Sequence, residues 1–381
     1  MKALPLCCFA FRGLSARKFA LREDPPSEAL TKVRFSLPPW GCRYPAIGGY
    51  MSLRQSLLPL LYRAAPDYLS GEELALRLSC SRAAVWKCIE KLRGEGYRIE
   101  GMKNRGYRLE AGEGQPLSEE LIAAMLGGGV SVDVEPELSS SNDVLKKQIL
   151  SGALKPPAVL LTDYQSAGKG RLGRSFFSPK GDGLYLSLYL KPGGLVSDNL
   201  ILTAQAAVAV YRAVREVTGI SLFIKWVNDL YLGGRKVCGI LSEGQANFET
   251  GELDFAIVGI GLNLYEPEEG YPREIRGKAA SLLGRRSEGR GIDRNLLAAR
   301  IVERLIELGK ERELPEDYRT RNIVLGREII LSEGKSRRKA KALSILPDGR
   351  LEILEEDGSR STLVYGELSV KLEEGDRGND S

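Results

Sequence analysis

The sequence predicts an α+β protein in three parts: a helix–turn–helix with a basic hairpin, a mixed β-sheet segment with helices, and a small all-β segment. Three observations carry this. Residues 51–112 hold apolar stripes at helical spacing followed by two short alternating runs. Residues 116–320 mix long helical stretches with strands, among them the strictly alternating "GLYLSLYL". Residues 321–374 carry four or five short strands punctuated by Asp348-Gly349 and Asp357-Gly358, which mark tight turns, and residues 375–381 form a tail. The length of 381 residues suits two or three domains, and 43% hydrophobic with 28% charged residues is an ordinary soluble balance with a sizeable core. No apolar run reaches the roughly 18 residues of a membrane span. A cytoplasmic protein without membrane association is the expectation.

Residues 1–50 have neither a helical nor an alternating period. They begin like a short signal peptide, but the apolar part is brief and no A-x-A site precedes the basic "SARKFALR". A transit peptide is also open, since the stretch is basic and poor in acids. The preferred reading is a disordered extension, with organised sequence starting at Met51.

In residues 51–112, Ser70 and Glu73 make an S-x-x-E capping box ahead of a helix whose core stripe is Leu74, Ala75 and Leu78. After the turn "SCS", a further helix opens at Ser81 and buries Ala84, Val85, Cys88, Ile89 and Leu92. Arg82, Trp86, Lys87 and Lys91 fall off that stripe, and Gly94 and Gly96 end the helix. "YRIEGM" and "GYRLE" follow, joined by the basic turn Lys103-Asn104-Arg105. Helix–turn–helix plus basic hairpin is the winged-helix pattern, in which a helix enters the major groove and wing cations touch phosphates. Eight Lys/Arg against three Glu between Ser81 and Leu109 favour DNA. A module used for protein contacts alone fits the same pattern. Ser81, Arg82, Trp86, Lys87, Lys103 and Arg105 are the candidate DNA contacts.

In residues 116–320, "AGEGQPLSEE" reads as a linker into a helix, and "AVLLTDYQ" (Ala158 to Gln165) as a strand running into "SAGKGRLGRSFFSP". Next come "GLYLSLYL", with Leu184, Leu186, Leu188 and Leu190 on one face, and a helix from about Asp198 to Val217. "SLFIKW" is a strand, and "LDFAIVGIGLNL" is another, ending in a glycine-containing turn. Gly168, Gly170 and Gly173 stand in G-x-G-x-x-G spacing, but the segment after them leads into a strand, whereas a dinucleotide-binding turn opens a helix. The kinase signatures and a Walker A loop are absent; "EGKS" at 333–336 has Ile329 where the upstream glycine belongs. What remains is a glycine loop carrying Lys169, Arg171 and Arg174, able to fold N–H groups and guanidinium forks around a polyanion; a surface coil with incidental charge is the alternative.

"NDLYL-GG-RKVCGILSE" reads as a hairpin with a Gly233-Gly234 turn. In that register Leu232 pairs with Arg235, Tyr231 with Lys236 and Asp229 with Cys238, which puts Asp229, Tyr231 and Lys236 on one face. Such a carboxylate and cation beside an anion-binding loop suggest a site; a solvated Asp–Lys pair is the plain alternative. The chain has no histidine, which removes Ser–His–Asp and Cys–His catalysis and His-ligated zinc. The six cysteines contain no C-x-x-C, so no metal site and no disulfide framework is indicated.

Together "SSSN" (Ser139 to Asn142), "QSAGKGRLGRSFFSP", "KWVNDLYL", "RKVCGIL" and "GIGLNL" give a chain that resembles the bifunctional biotin–protein ligase and biotin operon repressor family over about residues 51–374. The resemblance implies a class II synthetase-like biotin ligase fold for the central part and an SH3-like barrel at the C-terminus, where Gly366-Glu367 resembles the family's last motif. It implies biotin contacts from Ser140, Ser141, Asn142, Gln165, Lys169, Gly170, Arg171 and Lys236. Nucleotide contacts would come from Gly168, Gly173, Arg174 and Asn263, with "REIRGKAASLL" around the adenosine. Arg171, Lys236 and Asp229 would be catalytic. Three departures stand out: Ser-Ser-Asn for Ser-Thr-Asn, Val227 for a proline, and Lys169 for an arginine, which turns a fork into a point charge.

The resemblance implies that biotin, ATP and Mg²⁺ give biotinyl-5′-AMP, and that biotin then passes to a lysine of a biotin carboxyl carrier domain. An ionised carboxylate attacking the α-phosphate needs no general base, so the missing histidine is no obstacle. Operator DNA and a homodimer formed with biotinyl-AMP are the further implied partners. A lipoate or octanoate ligase, and a ligand-sensing regulator without catalysis, are the competing readings.

Overall fold

The computed structural model describes residues 52–370, apart from 111, 113, 193–198, 248, 290, 334–335 and 365. The expectations for residues 1–50 and for the tail 375–381 lie outside these.

The N-terminal part is three helices and a hairpin: α1 (Leu53–Ala64), α2 (Gly71–Arg77), α3 (Arg82–Gly94), β1 (Ile99–Met102) and β2 (Gly106–Leu109). Ser52 caps α1 in a full capping box with Gln55. At α2 only half of the expected box forms: the Ser70 side chain accepts from the Glu73 N–H. Of the expected stripes, Leu74, Ala75, Val85, Ile89 and Leu92 join Leu57, Leu58, Leu61 and Leu109 in one apolar core, while Leu78, Ala84 and Cys88 are half-buried. The "linker" is more ordered than a polar tether. Gln115 is buried; its Nε2 donates to the Glu110 carbonyl at 2.7 Å and its Oε1 accepts from the Arg98 N–H at 3.2 Å.

The central part adds α4 (Glu119–Leu126), β3 (Ser131–Glu135), α5 (Ser141–Leu150), β4 (Ala158–Thr162), β5 (Gly183–Leu190), α6 (Asn199–Thr218), β6 (Phe223–Lys225), β7 (Asp229–Leu232), β8 (Arg235–Ala246), β9 (Leu253–Asn263), α7 (Arg294–Leu308) and α8 (Glu316–Thr320). The sheet runs β3-β4-β5-β9-β8-β7-β6, parallel at β3/β4 and antiparallel elsewhere. All eight residues of β5 are buried, because both faces of this central strand are covered. Leu184, Leu186, Leu188 and Leu190 join the core under α6 and α7. On the opposite face, Tyr189 packs with Leu145 of α5.

Three strand readings need correction. "AVLLTDYQ" is strand only to Thr162, where the chain turns toward the glycine loop. Gly259 and Gly261 are not in a turn: they lie inside β9, paired with Ser187 and Tyr185 of β5. Finally, Tyr231 pairs with Lys236 and Leu232 with Arg235 as expected, but Asp229 faces Gly239 and not Cys238, because a bulge adds one residue to β8.

The C-terminal part is a five-stranded antiparallel sheet of β10 (Glu328–Glu333), β11 (Ser336–Ile345), β12 (Leu351–Glu355), β13 (Arg360–Leu363) and β14 (Glu367–Val370), in the order β13-β12-β11-β10-β14. Its apolar side, including Ile329, Leu331, Ala342 and Ile353, is continuous with the central core. The Trp226 Nε1–H donates to the Gly349 carbonyl at 3.0 Å, tying this sheet to the segment between β6 and β7.

Candidate functional site

The site lies on the α5 side of the central sheet. Gly239, Gly259 and Gly261 adjoin one another across β8 and β9, and their missing side chains make a trough in the sheet face that the Asn142 and Phe176 side chains occupy. A Cβ at Gly259 would lie 2.3 Å from Asn142 Oδ1, and one at Gly261 would lie 2.4 Å from the Phe176 ring. Glycine is therefore required here for close approach, with Asn142 at one end of the trough and Phe176 lying across its floor.

A buried polar network borders the trough. Ser141 donates its N–H to Gln165 Oε1 at 2.9 Å, and its hydroxyl lies 3.1 Å from the same oxygen. Gln165 Nε2 donates to the Ser178 hydroxyl at 2.9 Å. Asn142 Nδ2 donates to Glu243 at 2.7 Å, while its Oδ1 accepts from the Ser187 hydroxyl at 2.6 Å. Ser140 is buried at the N-cap of α5, and its hydroxyl makes no capping bond. Sequence reasoning selected Ser140, Ser141, Asn142 and Gln165 but missed Ser178, Ser187 and Glu243. Ser187 had a legible signal: the one serine inside a strand otherwise of glycine, leucine and tyrosine, whose hydroxyl when buried needs a partner.

The glycine loop is a narrow hairpin. Lys169 bridges Ser175, the Gly170 N–H donates to the Arg174 carbonyl at 2.7 Å, and a single 3-10 turn (Arg171–Gly173) forms the tip. No α-helix follows, as the sequence indicated. Gly168 is buried where a Cβ would meet the Phe176 carbonyl at 2.5 Å. Leu172 at the tip is 75% exposed with φ of 56°. The three cations diverge: the Lys169 ammonium pairs with Asp143 of α5 at 2.6 Å, Arg174 is exposed, and Arg171 turns inward. The Arg171 Nη1–H donates to Asn228 Oδ1 at 3.0 Å. Burial pulls the Arg171 guanidinium below its ordinary value, and the Asp229 charge opposes this.

The bulged hairpin brings the remaining groups here. Gly233 and Gly234 take φ of 55° and 73°, so the turn is of the mirror type that suits glycine. The Lys236 ammonium lies 2.7 Å from Asp229 Oδ1. The contact is an ion pair and not an angled hydrogen bond, since that buried oxygen takes no hydrogen bond from the described residues. Asn228, which residue-by-residue reasoning passed over, is the joint of the site. Its side chain accepts from Arg171, its Nδ2 donates to the Ile240 carbonyl at 2.7 Å, and its own carbonyl accepts from the Ile240 N–H at 3.0 Å. Asn263, at the end of β9, donates from Nδ2 to the Ala280 carbonyl at 3.0 Å and so anchors the loop after it. That loop returns to the hairpin, where the Ala280 N–H donates to the Lys236 carbonyl at 2.8 Å. Thus Arg171, Lys236, Asp229, Gln165 and Ser140–Asn142 gather around one trough, Asn263 anchors the loop that returns to Lys236, and Lys169 and Arg174 lie on the exposed part of the glycine loop.

The candidate DNA residues form a second region. Ser81 accepts from the Ala84 N–H at 3.1 Å as N-cap of α3, and Arg82, Trp86 and Lys87 lie on the solvent side of that helix. Trp86 is 53% exposed, well beyond what a core role allows. Lys103 and Arg105 are exposed at the β1–β2 turn, with the Arg105 guanidinium 4.4 Å over the Tyr68 ring. Among the described residues, no helix is long and apolar enough to cross a membrane, and no group of three or more Cys, Asp or Glu side chains is placed to hold a metal ion.

Comparison with known proteins gives these two regions a common context. Residues 135–263 match the biotin/lipoate A/B protein ligase family, and residues 54–108 match a helix–turn–helix (HTH) domain. The bifunctional ligase/repressor BirA of Escherichia coli is 31% identical over 324 residues, 81% of this chain and 94% of that protein. BirA of Bacillus subtilis is 36% identical over 249 residues, 64% of this chain and 74% of that protein. Among solved structures, the biotin protein ligase of Aquifex aeolicus in complex with biotin and ATP superposes with a TM-score of 0.52 at 28% identity, over 63% of this chain and 98% of that one. With the ligase-family and helix–turn–helix matches in one molecule and a likeness to BirA that spans 94% of that relative, the chain belongs to the bifunctional biotin ligase/repressor family.

Proposed function

We propose that this chain is an ATP-dependent biotin–protein ligase that is also a DNA-binding repressor. The observation that carries the ligase reading is the convergence of Arg171 and Lys236, through Asn228 and Asp229, on a glycine-floored trough edged by buried hydroxyls and amides. Rigid polar groups suit the ureido ring of biotin, because a site built to hydrogen-bond its ligand rejects analogues that lack those groups. Ser140, Ser141, Asn142 and Gln165 take this role.

The first step joins two anions. A biotin carboxylate oxygen attacks the α-phosphorus of ATP, the bond to the bridging oxygen breaks, and pyrophosphate leaves. No proton need be removed, so the residues bind and neutralise: Lys169, Gly170 and Arg171 hold the carboxylate and adenylate phosphate, Lys236 the reacting oxygens, and Arg174 with the Gly168 and Gly173 backbone the nucleotide phosphates. Magnesium arrives with ATP as part of the substrate. Asn263 and the Ala280 loop carry the adenosine side. In the second step a lysine amine of a carrier domain attacks the mixed anhydride carbonyl, AMP leaves, and the nitrogen loses a proton. Asp229, already beside Lys236, orients that amine and assists the proton's departure.

For the repressor reading, α3 enters the major groove with Ser81, Arg82, Trp86 and Lys87, while Lys103 and Arg105 of the wing touch phosphates. Unspent biotinyl-AMP favours a homodimer on a two-fold operator, in the cytoplasm. Residues 51–112, 116–320 and 321–374 are the corresponding DNA-binding, catalytic and C-terminal domains. The test is to incubate the protein with ATP, Mg²⁺ and biotin, lipoate or octanoate in turn and look for the acyl-adenylate by mass. Biotinyl-AMP alone supports the reading. A lipoyl or octanoyl adenylate alone, or none, overturns it.

A further inference from the structure

Tyr318 belongs to α8, beyond every motif that marked the site, yet it lies directly behind it. Its side chain is fully buried, and its hydroxyl donates to the Val227 carbonyl at 2.7 Å. Burial raises its pKa above the usual phenol range, so it stays protonated and remains a donor, and the charges of Arg171 and Asp229 both act on it.

The Val227 carbonyl and the Asn228 N–H belong to one planar peptide unit, so holding that oxygen fixes the plane from which Asn228 projects. Asn228 in turn accepts from Arg171, and the next residue, Asp229, pairs with Lys236. Residues 226–228 connect β6 to β7 at the sheet's edge, with Trp226 and Val227 buried in the core. Asn228 is held to Ile240 of β8, and two further bonds come from beyond β9 in sequence: Tyr318 to Val227, and Trp226 to Gly349.

We propose that Tyr318 is a positioning residue for the adenylation centre: by holding the Val227 carbonyl it sets Asn228 and Asp229, and through them Arg171 and Lys236. The role rests on the ligase reading above. It also gives the C-terminal part of the chain a share in the geometry of the reaction, since Arg319, the next residue of α8, donates its Nε–H to the Ile345 carbonyl at 3.0 Å.

The test uses the full-length protein and Tyr318→Phe, which keeps the ring and removes one hydroxyl. Single-turnover formation of biotinyl-AMP is measured at saturating biotin and ATP, biotin affinity by calorimetry, and folding by thermal unfolding. Displaced catalytic groups should slow adenylation about tenfold. Biotin affinity should stay within about twofold, because ground-state binding is not what the bond serves. Tyr211→Phe, which removes a buried hydroxyl bonded to Arg215 away from the trough, should leave the rate unchanged. In an Asn228→Ala background, Tyr318→Phe should slow the reaction no further. The role is overturned if Tyr318→Phe makes adenylate at the wild-type rate, if it slows no more than Tyr211→Phe, or if the Asn228 and Tyr318 effects simply multiply. A wild-type protein that makes no biotinyl-AMP would remove the ligase reading itself; an active wild type with an unaffected variant removes only the positioning role.

Discussion

Lys236 and Asp229 stand 2.7 Å apart across a hairpin whose bulge brings Asp229 opposite Gly239. The pair is partly shielded and lies beside the inward-turned Arg171, where a lost cation cannot be replaced cheaply by water. Replacing Lys236 with Gln, or Arg171 with Ala, should lower the adenylation rate about 10²–10³-fold, the usual cost of one donor to a developing oxyanion. Rapid-quench assay of biotinyl-AMP measures this; a loss confined to biotin KM would show that the residue binds without acting on the transition state.

Asp229→Asn separates the two half-reactions. It keeps the shape and removes the charge proposed to serve the incoming amine. Transfer of biotin from preformed biotinyl-AMP should slow more than formation of the adenylate, and equal slowing of both would rule out the assigned role.

Gly259→Ala tests the trough. The added Cβ would meet Asn142 Oδ1 at 2.3 Å, while the strand backbone itself tolerates alanine. Biotin affinity measured by calorimetry should fall sharply, with a stability loss of about 1–3 kcal/mol from overpacking, readable in urea unfolding. Undiminished affinity would mean that Asn142 does not face the ligand.

On DNA, Lys103→Ala and Arg105→Ala should each lower the slope of log K against log salt by about 0.9, whereas Trp86→Ala should leave that slope alone and reduce discrimination among operator variants. Fluorescence titrations over a range of salt concentrations distinguish the two. A changed slope for Trp86→Ala would contradict the division.

The junction between α1 and α4 predicts an acid response. Burial would raise the Glu120 carboxyl, but its hydrogen bonds from Arg54 (2.5 Å) and Ser118 (2.8 Å) hold it below the ordinary value. A depressed carboxyl stabilises above its unfolded pKa, and that contribution is lost as pH falls through the folded value. Thermal unfolding below the usual glutamate range should therefore show a steeper acid loss for the wild type than for Glu120→Gln, and parallel curves would dismiss the linkage.

The helix stripes, the Gly233-Gly234 turn and the alternation of β5 are legible in the sequence because periodicity and turn chemistry are local. The bulge at β8 was not, since an extra residue in one strand leaves no mark in alternation, and it moved Asp229 opposite Gly239. The glycines of "GIGLNL" were read as a turn because spacing alone does not distinguish a bend from a close approach; only the neighbouring Asn142 and Phe176 reveal the latter. The candidate residues lay in recognisable motifs, while Ser187, Asn228 and Tyr318 became visible once separate segments met in space. The helix–turn–helix needed no such assembly, as its charged face follows directly from the buried one.

The segment after the wing has a mechanical consequence. Gln115 is bonded on both sides, and just beyond it the buried Asn295 of α7 accepts from the Ser118 N–H at 2.8 Å and donates to the Pro116 carbonyl at 2.9 Å. A reading head stitched down in this way is not a pendulum. If two copies of the molecule join, the distance between their recognition helices is dictated by how the larger bodies abut, so the span of the operator becomes a ruler for that contact.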